Sequence, residues 1–261
     1  MIKSLNTAAT GMAAQQSNMD VIANNIANVS TNGFKKSRAE FEDLVYQTAK
    51  EPGAATGENS FSPNGVQTGL GVRTASIQKN FETGQAVITK NALDIQIEGS
   101  GFFQVLTPDG QIAYTRDGAF KKDPNGKLID KNGNILQPEI TIPAGVKGLD
   151  ISASGEVKAI QGLSDTPQII GQIDIVNFVN PSGLKALGKN LFSQTPASGQ
   201  AATTRPGLNG SGYLAQGQLE SSNVNIVDEM VNMITAQRAY ETNSKVIQAS
   251  DQMLQSVNNL R

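Results

Sequence analysis

Cysteine, histidine and tryptophan are all missing from the 261 residues, and aromatic residues make up only 5%. Without cysteine there is no disulfide, thiolate nucleophile, iron–sulfur cluster or Cys-ligated zinc. Without histidine there is no Ser-His-Asp triad, no imidazole metal ligand and no proton shuttle of that kind near neutral pH. Long hydrophobic runs are also missing. No stretch approaches the ~18 apolar residues of a membrane helix, so membrane insertion is not expected. Lys3 is followed by SLNTAATGMAAQQSN, too polar for a secretory signal, and no cleaved leader is expected. The 21 basic and 23 acidic residues nearly cancel, which leaves no broad cationic face for nucleic acid. The chemistry left open would use carboxylates, Lys, Tyr or backbone amides.

Amides are plentiful instead. Asn (23) and Gln (21) together equal the 44 charged residues. Amides solvate a surface without like-charge repulsion, which suits packing against further copies of the chain.

Two helices are predicted at the ends of the chain. Over residues 1–29, Leu5, Met12, Met19 and Ile26 recur every seven positions, and Ala8, Gln15, Ile22 and Val29 are their companions. That is a heptad pattern with one polar companion, Gln15. Gly11 weakens the first turns by about 1 kcal/mol relative to Ala. The pattern ends at Ser30-Thr31-Asn32-Gly33, where Asn or Gly can take positive φ. Over residues 225–261, Met233, Tyr240, Ile247 and Leu254 recur every seven, and Ala236, Asn243, Ser250 and Val257 are their companions. Asn225 is a suitable N-cap, and Asp228 and Glu229 sit in the first turn, where the helix dipole favours carboxylates. Val227, Val231 and Ile234 widen the stripe near the start of this helix.

An isolated amphipathic helix is marginal in water. The two stripes are therefore expected to cover each other as a coiled coil. The small, uncharged back of the first helix (Ala9, Ala13, Ala14, Ala23, Ala27) suits close approach by neighbouring copies.

Residues 71–224 read as mainly antiparallel β structure. Short apolar runs flank Pro108-Asp109-Gly110, Asn125-Gly126 and Asn132-Gly133, and Asx-Gly pairs supply the positive φ that tight hairpins need. The 46–63 stretch, YQTAKEPGAATGENSFSP, is poor in apolar residues and reads as an irregular loop or extended arm. Residues 193–212 read as a second linker. The expected class is α+β: paired terminal helices (1–29 with 225–261), a connecting arm (30–70) and a β-rich outer domain (71–224).

Three motifs carry little chemical weight. Gly183-Leu-Lys-Ala-Leu-Gly188-Lys189-Asn190 nearly matches a phosphate loop but lacks the final hydroxyl and a following helix. Gly210-Ser-Gly212 has no βαβ setting. Asp94, Glu98 and Asp117 keep carboxylate-dependent hydrolysis of a cell-wall glycan formally open, although strands commonly carry such residues on a solvated face.

The segment from Asn24 to Lys35, NNIANVSTNGFK, resembles the N-terminal signature of the flagellar rod and hook family of axial proteins, ANNIANxxTxGFK. Asn24, Asn25, Asn28, Thr31, Gly33 and Phe34 carry the match. The tail, from Gly217-Gln-Leu-Glu220 through Ala236-Gln-Arg-Ala-Tyr-Glu241, resembles the same family's C-terminal signature. Gly99-Ser-Gly-Phe-Phe103, Tyr114-Thr-Arg-Asp-Gly118 and Asn177-Phe-Val-Asn-Pro-Ser-Gly-Leu184 are similar to its β domain, which accounts for the apparent phosphate loop.

The resemblance implies a structural subunit with no enzymatic activity and no cofactor. It implies a helical homopolymer whose paired terminal helices line a tube that transmits torque. The self-assembly residues would be Leu5, Met12, Met19, Ile22, Ile26, Val29, Met233, Tyr240, Ile247, Leu254 and Val257. The 46–63 stretch, with Tyr46, Pro52, Gly53 and Pro63, points to a rod member and to the distal end of the rod, where that stretch stiffens the polymer. A proximal rod member and a hook-type member are the nearest alternatives, and a surface fibre is a more distant one. Implied partners are further copies of the chain, the proximal rod protein, the hook protein and the L- and P-ring proteins. The implied place is the flagellar basal body, spanning the periplasm and reached through type III export.

Overall fold

The computed structural model describes residues 2–52, 55–57, 60–61, 63–161 and 164–259. The architecture is α+β, with two long helices and antiparallel sheets. The contacts divide the chain into a helical unit (Met1–Ala27, Ser37–Gln78 and Asn225–Arg261) and a β unit (Asn28–Lys36 and Lys79–Val224).

In the helical unit, α1 spans Ile2–Ala27 and α2 spans Ile226–Asn259. The start of α2 is capped as expected. The Asn225 side-chain oxygen accepts the Val227 N–H at 3.1 Å, satisfying one of the first-turn donors that have no partner within the helix. The two helices contact each other along their length. Asn25 of α1 meets Glu229 of α2, and Gly11 faces Asn243, so the pair runs antiparallel. Its buried positions are mostly small or polar: Ala8, Ala14, Val21, Ile22 and Asn25 on α1, and Glu229, Ala236 and Ser250 on α2. Gly11 has a packing role. A Cβ there would lie 3.0 Å from the Asn243 amide nitrogen. The helix propensity lost at Gly11 thus accompanies a close crossing.

Two features of this unit depart from the sequence reading. First, α1 stops at Ala27, so Val29 lies in the turn that follows. Second, the 46–63 stretch has strand structure. Tyr46–Lys50 pairs with Val66–Gly69, and Ala55–Gly57 pairs with Ser60–Phe61. Ladder hydrogen bonds need only backbone groups, so a segment poor in apolar side chains can still form a hairpin arm. A second ladder in the unit joins Ser37–Asp43 to Val72–Lys79.

The β unit contains a seven-stranded antiparallel sheet. Its order is Lys121–Lys122, Leu128–Ile129, Ile135–Gln137, Phe103–Leu106, Ile112–Thr115, Leu191–Ser193, Lys185–Gly188. A three-stranded sheet follows: Val146–Ile151, Glu156–Gln161, Ser164–Gln172. Three further pairs join distant parts of the chain. Ile95–Glu98 pairs with Tyr213–Gln216, Ala86–Ile88 with Gln218–Glu220, and Ile175–Asn177 with Ala202–Thr204. The second linker expected at 193–212 therefore contains a paired strand.

One apolar core includes Ile95, Ile97, Phe103, Val105, Phe120, Leu128, Leu136, Ile140, Val157, Ile173 and Ile175. Phe103 and Phe120 meet edge to face at 5.2 Å. A second cluster gathers Phe102, Tyr114, Val176, Phe178, Leu184 and Phe192. The scarce aromatics are concentrated where their large area is buried. The apparent phosphate loop is a hairpin turn. Lys189 and Asn190 take φ of 54° and 61° between the paired strands Lys185–Gly188 and Leu191–Ser193.

Candidate assembly surfaces and a buried charge cluster

The helical unit presents two kinds of apolar surface. Of the heptad positions on the two helices, Ile22 is buried, and Leu5, Met12, Met19, Ile26, Met233, Ile247 and Leu254 are half-buried. Tyr240 is 37% exposed. The side chain of Val257 lies outside the described residues. A different face of α2 is open. Val227 is 67% exposed, Met230 and Val231 each 54%, and Ile234 47%. Val227, Val231 and Ile234 were expected to widen the covered stripe. They instead form a ridge on solvent, because their spacing places them across the helix from Glu229 and Ala236, which are buried. On α1, Ala9, Ala13, Ala23 and Ala27 are exposed, whereas Ala14 is buried. The hairpin arm adds Val45, Tyr46 and Val66, all exposed. Pro52 and Pro63 are exposed as well, and Gly53 lies outside the described residues.

The motif residues divide between the two units. In the helical unit, buried Asn25 holds Ser37 from both sides. Its amide nitrogen donates to Ser37 O at 2.8 Å, its oxygen accepts the Ser37 N–H at 2.9 Å, and it also reaches Glu229 at 3.3 Å. Asn24 is exposed and lines a shallow groove with Ser17, Asp20, Val21, Ser37 and Ile77. In the β unit, Thr31 donates its hydroxyl to Asn28 Oδ1 at 3.2 Å, and its N–H bonds Asn28 O at 3.1 Å. Gly33 takes φ +67°, and a Cβ there would stand 2.8 Å from the Asp117 nitrogen. The position therefore demands glycine on conformational and steric grounds alike. Phe34 is buried, with the Lys79 ammonium 5.2 Å from its ring centre.

The next residue anchors a buried charge cluster that the sequence reading did not single out. Lys35 Nζ lies 2.5 Å from Glu220 Oε1 and donates to Glu82 O at 2.6 Å. Arg116 Nη1 stands 3.4 Å from Glu220 Oε2, and Arg116 Nη2 donates to Gly99 O at 2.7 Å. The Gly84 N–H reaches Glu220 Oε1 at 2.9 Å. The side chains of Lys35, Arg116 and Glu220 are all at least 98% buried. One carboxylate thus faces two cations and a backbone donor. Burial pushes Lys35 below the ordinary lysine range, and the Glu220 carboxylate opposes that shift. Burial also lowers Arg116, again opposed by Glu220.

Around the cluster, Gly33 N–H bonds Glu220 O at 2.8 Å, and Lys36 N–H bonds Asn223 Oδ1 at 2.8 Å. Two segments 185 positions apart are thereby fastened together. Lys35, Arg116 and Glu220 each fall within a quoted motif, but nothing in the spacing of those motifs marks the three as partners.

The carboxylates considered for hydrolysis have structural partners. Asp94 accepts from Thr89 at 2.6 Å and Asn91 at 3.0 Å. Asp117 pairs with Lys131 at 2.5 Å.

Three family models match the chain in order. They are the flagella basal body rod protein model over residues 5–35, the flagellar hook protein FlgE/F/G D1 domain over 96–159, and the flagellar basal body rod FlgEFG protein C-terminal model over 215–260. The chain is similar to the flagellar basal-body rod protein FlgG of Buchnera aphidicola (subsp. Acyrthosiphon pisum), 50% identical with both chains covered in full. The FlgG of Borreliella burgdorferi is also 50% identical, over 100% of this chain and 99% of its own. That of Bacillus subtilis is 41% identical over the whole of both chains. The chain therefore belongs to the FlgG family of flagellar basal-body rod proteins, which are structural subunits of the rod and not enzymes.

Proposed function

We propose that this rod subunit builds the distal rod as a helical tube of identical copies, carrying torque from the motor to the hook and leaving a channel for exported subunits. The observation that carries the reading is the open ridge of Val227, Met230, Val231 and Ile234 on a helix whose opposite side is already covered by α1. An apolar ridge of this kind on a polymer-forming subunit is best explained by a neighbouring copy. Contacts of one patch with a different patch on the next copy generate an open filament when the rotation does not close.

In this reading α1 and α2 form a coiled coil. Leu5, Met12, Met19, Ile22, Ile26 and Val29 contribute one seam, and Met233, Tyr240, Ile247, Leu254 and Val257 the other. Asn24, Asn25, Asn28, Thr31, Gly33 and Phe34 set the end of α1 and the turn into the β unit. Tyr46, Pro52, Gly53 and Pro63 belong to an arm that contacts neighbouring subunits and stiffens the rod. The specific neighbours are the proximal rod protein, the hook protein and the L- and P-ring proteins. The subunit reaches this site in the periplasm through type III export.

Electron microscopy of the polymer tests the reading. The intact chain should give straight tubes, and deletion of 46–63 should give tubes that bend. Straight tubes from the deletion would remove the stiffening role. Tubes in which the ridge faces solvent would remove the assembly role of α2.

A further inference from the structure

Five Asn-Gly pairs occur in the chain: Asn32-Gly33, Asn64-Gly65, Asn125-Gly126, Asn132-Gly133 and Asn209-Gly210. Such a pair can rearrange without an enzyme. The glycine nitrogen, once deprotonated, attacks the Asn side-chain Cγ. A new N–Cγ bond closes a succinimide ring, the Cγ–Nδ2 bond breaks, and ammonia leaves with the proton. Water then opens the ring at either carbonyl to give aspartate or isoaspartate. No oxidant or reductant is needed. The attacking N–H must be free of a hydrogen bond, and the surrounding backbone must be able to move.

The fold sorts the five pairs by these requirements. Gly33 N–H is given to Glu220 O at 2.8 Å, Gly126 N–H to Asp123 O at 2.8 Å, and Gly133 N–H to Asp130 O at 3.1 Å. In Asp123-Pro-Asn-Gly126 and Asp130-Lys-Asn-Gly133 the glycine is the fourth residue of the turn. Its N–H therefore closes the turn. Only the glycine takes positive φ there.

Asn209-Gly210 occupies the middle of its turn instead. Ser211 N–H closes on Leu208 O at 2.9 Å, and Asn209 and Gly210 take φ of 51° and 75°. That is the type I′ arrangement, which leaves the third residue's N–H pointing outward. Among the described residues Gly210 N–H has no acceptor. Asn209 is exposed, and a Cβ built on Gly210 would meet nothing within 4 Å. The base of the loop is pinned. Gly207 N–H bonds Gly212 O at 2.9 Å, and the Ser211 hydroxyl donates to Leu208 O at 2.6 Å. These bonds anchor the loop below its Asn209-Gly210 tip. Asn64-Gly65 is the nearest rival. There Gly65 is packed against backbone, with a Cβ 2.7 Å from Lys50 O, and Asn64 has a polar partner.

We infer that Asn209 is the principal site of spontaneous deamidation in the folded chain, converting a neutral loop tip into a carboxylate and, in the isoaspartate product, lengthening the turn by one backbone atom.

The test follows conversion at each Asn-Gly peptide by mass spectrometry, with an isoaspartate assay. The purified full-length chain is held at mildly alkaline pH with and without urea. In urea the pairs should react at similar rates. In the folded chain Asn209 should outpace Asn32, Asn125 and Asn132 by about fivefold or more, since each of those amides must first break a hydrogen bond with a net worth of ~1 kcal/mol. The Asn209→Gly variant keeps a turn that tolerates positive φ and should lose the fast release of ammonia. Equal rates across the folded chain, an Asn64 rate at or above that of Asn209, or a fast phase that persists in Asn209→Gly would overturn the assignment.

Discussion

The helical unit and the β unit conceal their side chains in different ways. The β unit buries large apolar residues, Phe103, Val105, Leu136 and Ile175 among them, around a complete core, and places Lys35, Glu220 and Arg116 out of water. The helical unit covers small and polar positions such as Ala8, Ala14, Ala236 and Ser250, and leaves Val227, Met230 and Val231 on its surface. The β unit thus carries an apolar core of its own, with Ile88, Ile169 and Val179 exposed on its surface, while the helical unit buries few large apolar side chains and keeps an apolar ridge on one helix that a neighbouring copy could cover. Subunits that must be stable alone and adhesive in an assembly can separate the two tasks in this way.

The contrast is tested most severely at Glu220. Glu220→Ala leaves Lys35 and Arg116 buried without their carboxylate and should destabilise the β unit by ~3–5 kcal/mol, read as a lowered urea midpoint. Leu136→Ala, at a fully buried core position, should cost ~2–5 kcal/mol by the same measurement. Asn225→Ala removes the α2 cap and should cost ~1 kcal/mol, seen as reduced helicity.

Val231→Glu sharpens the comparison from the other side. At an exposed position it should change monomer stability by no more than ~0.5 kcal/mol yet abolish polymer in sedimentation. Loss of monomer fold would show that the ridge serves the subunit itself.

The smallest effect concerns pH. Burial holds Lys35 below its ordinary value of 10.5. Between the folded and unfolded values the unfolded chain binds more protons, so the contribution of this group to stability rises with pH in that window and is lost as pH falls. Lys35→Met should remove that alkaline slope from the urea midpoint, and an unchanged slope would show that Lys35 is not its source.

Much of this was legible in advance. The helices at both ends, the Asn225 cap and the turn-rich middle depend on neighbours within a few residues, and each appears in the structure close to its expected place. The hairpin arm was not legible, because the pairing of Tyr46–Lys50 with Val66–Gly69 uses backbone groups that every residue carries. The exposure of Val227, Val231 and Ile234 was not legible either. A wide apolar stripe looks the same in sequence whether one side of it or both are covered.

The sequence by itself determined the α+β class, the two helices and the family. Periodicity, capping and motif order are short-range properties, and an amino-acid string records them directly. Only the tertiary structure decided that Lys35, Arg116 and Glu220 share one buried cluster, which side of α2 stays open, and that the amides of Gly33, Gly126 and Gly133 are hydrogen-bonded. Each of these depends on contacts between segments far apart along the chain. Burial and hydrogen-bond partners are properties of the packed molecule, and no local pattern encodes them.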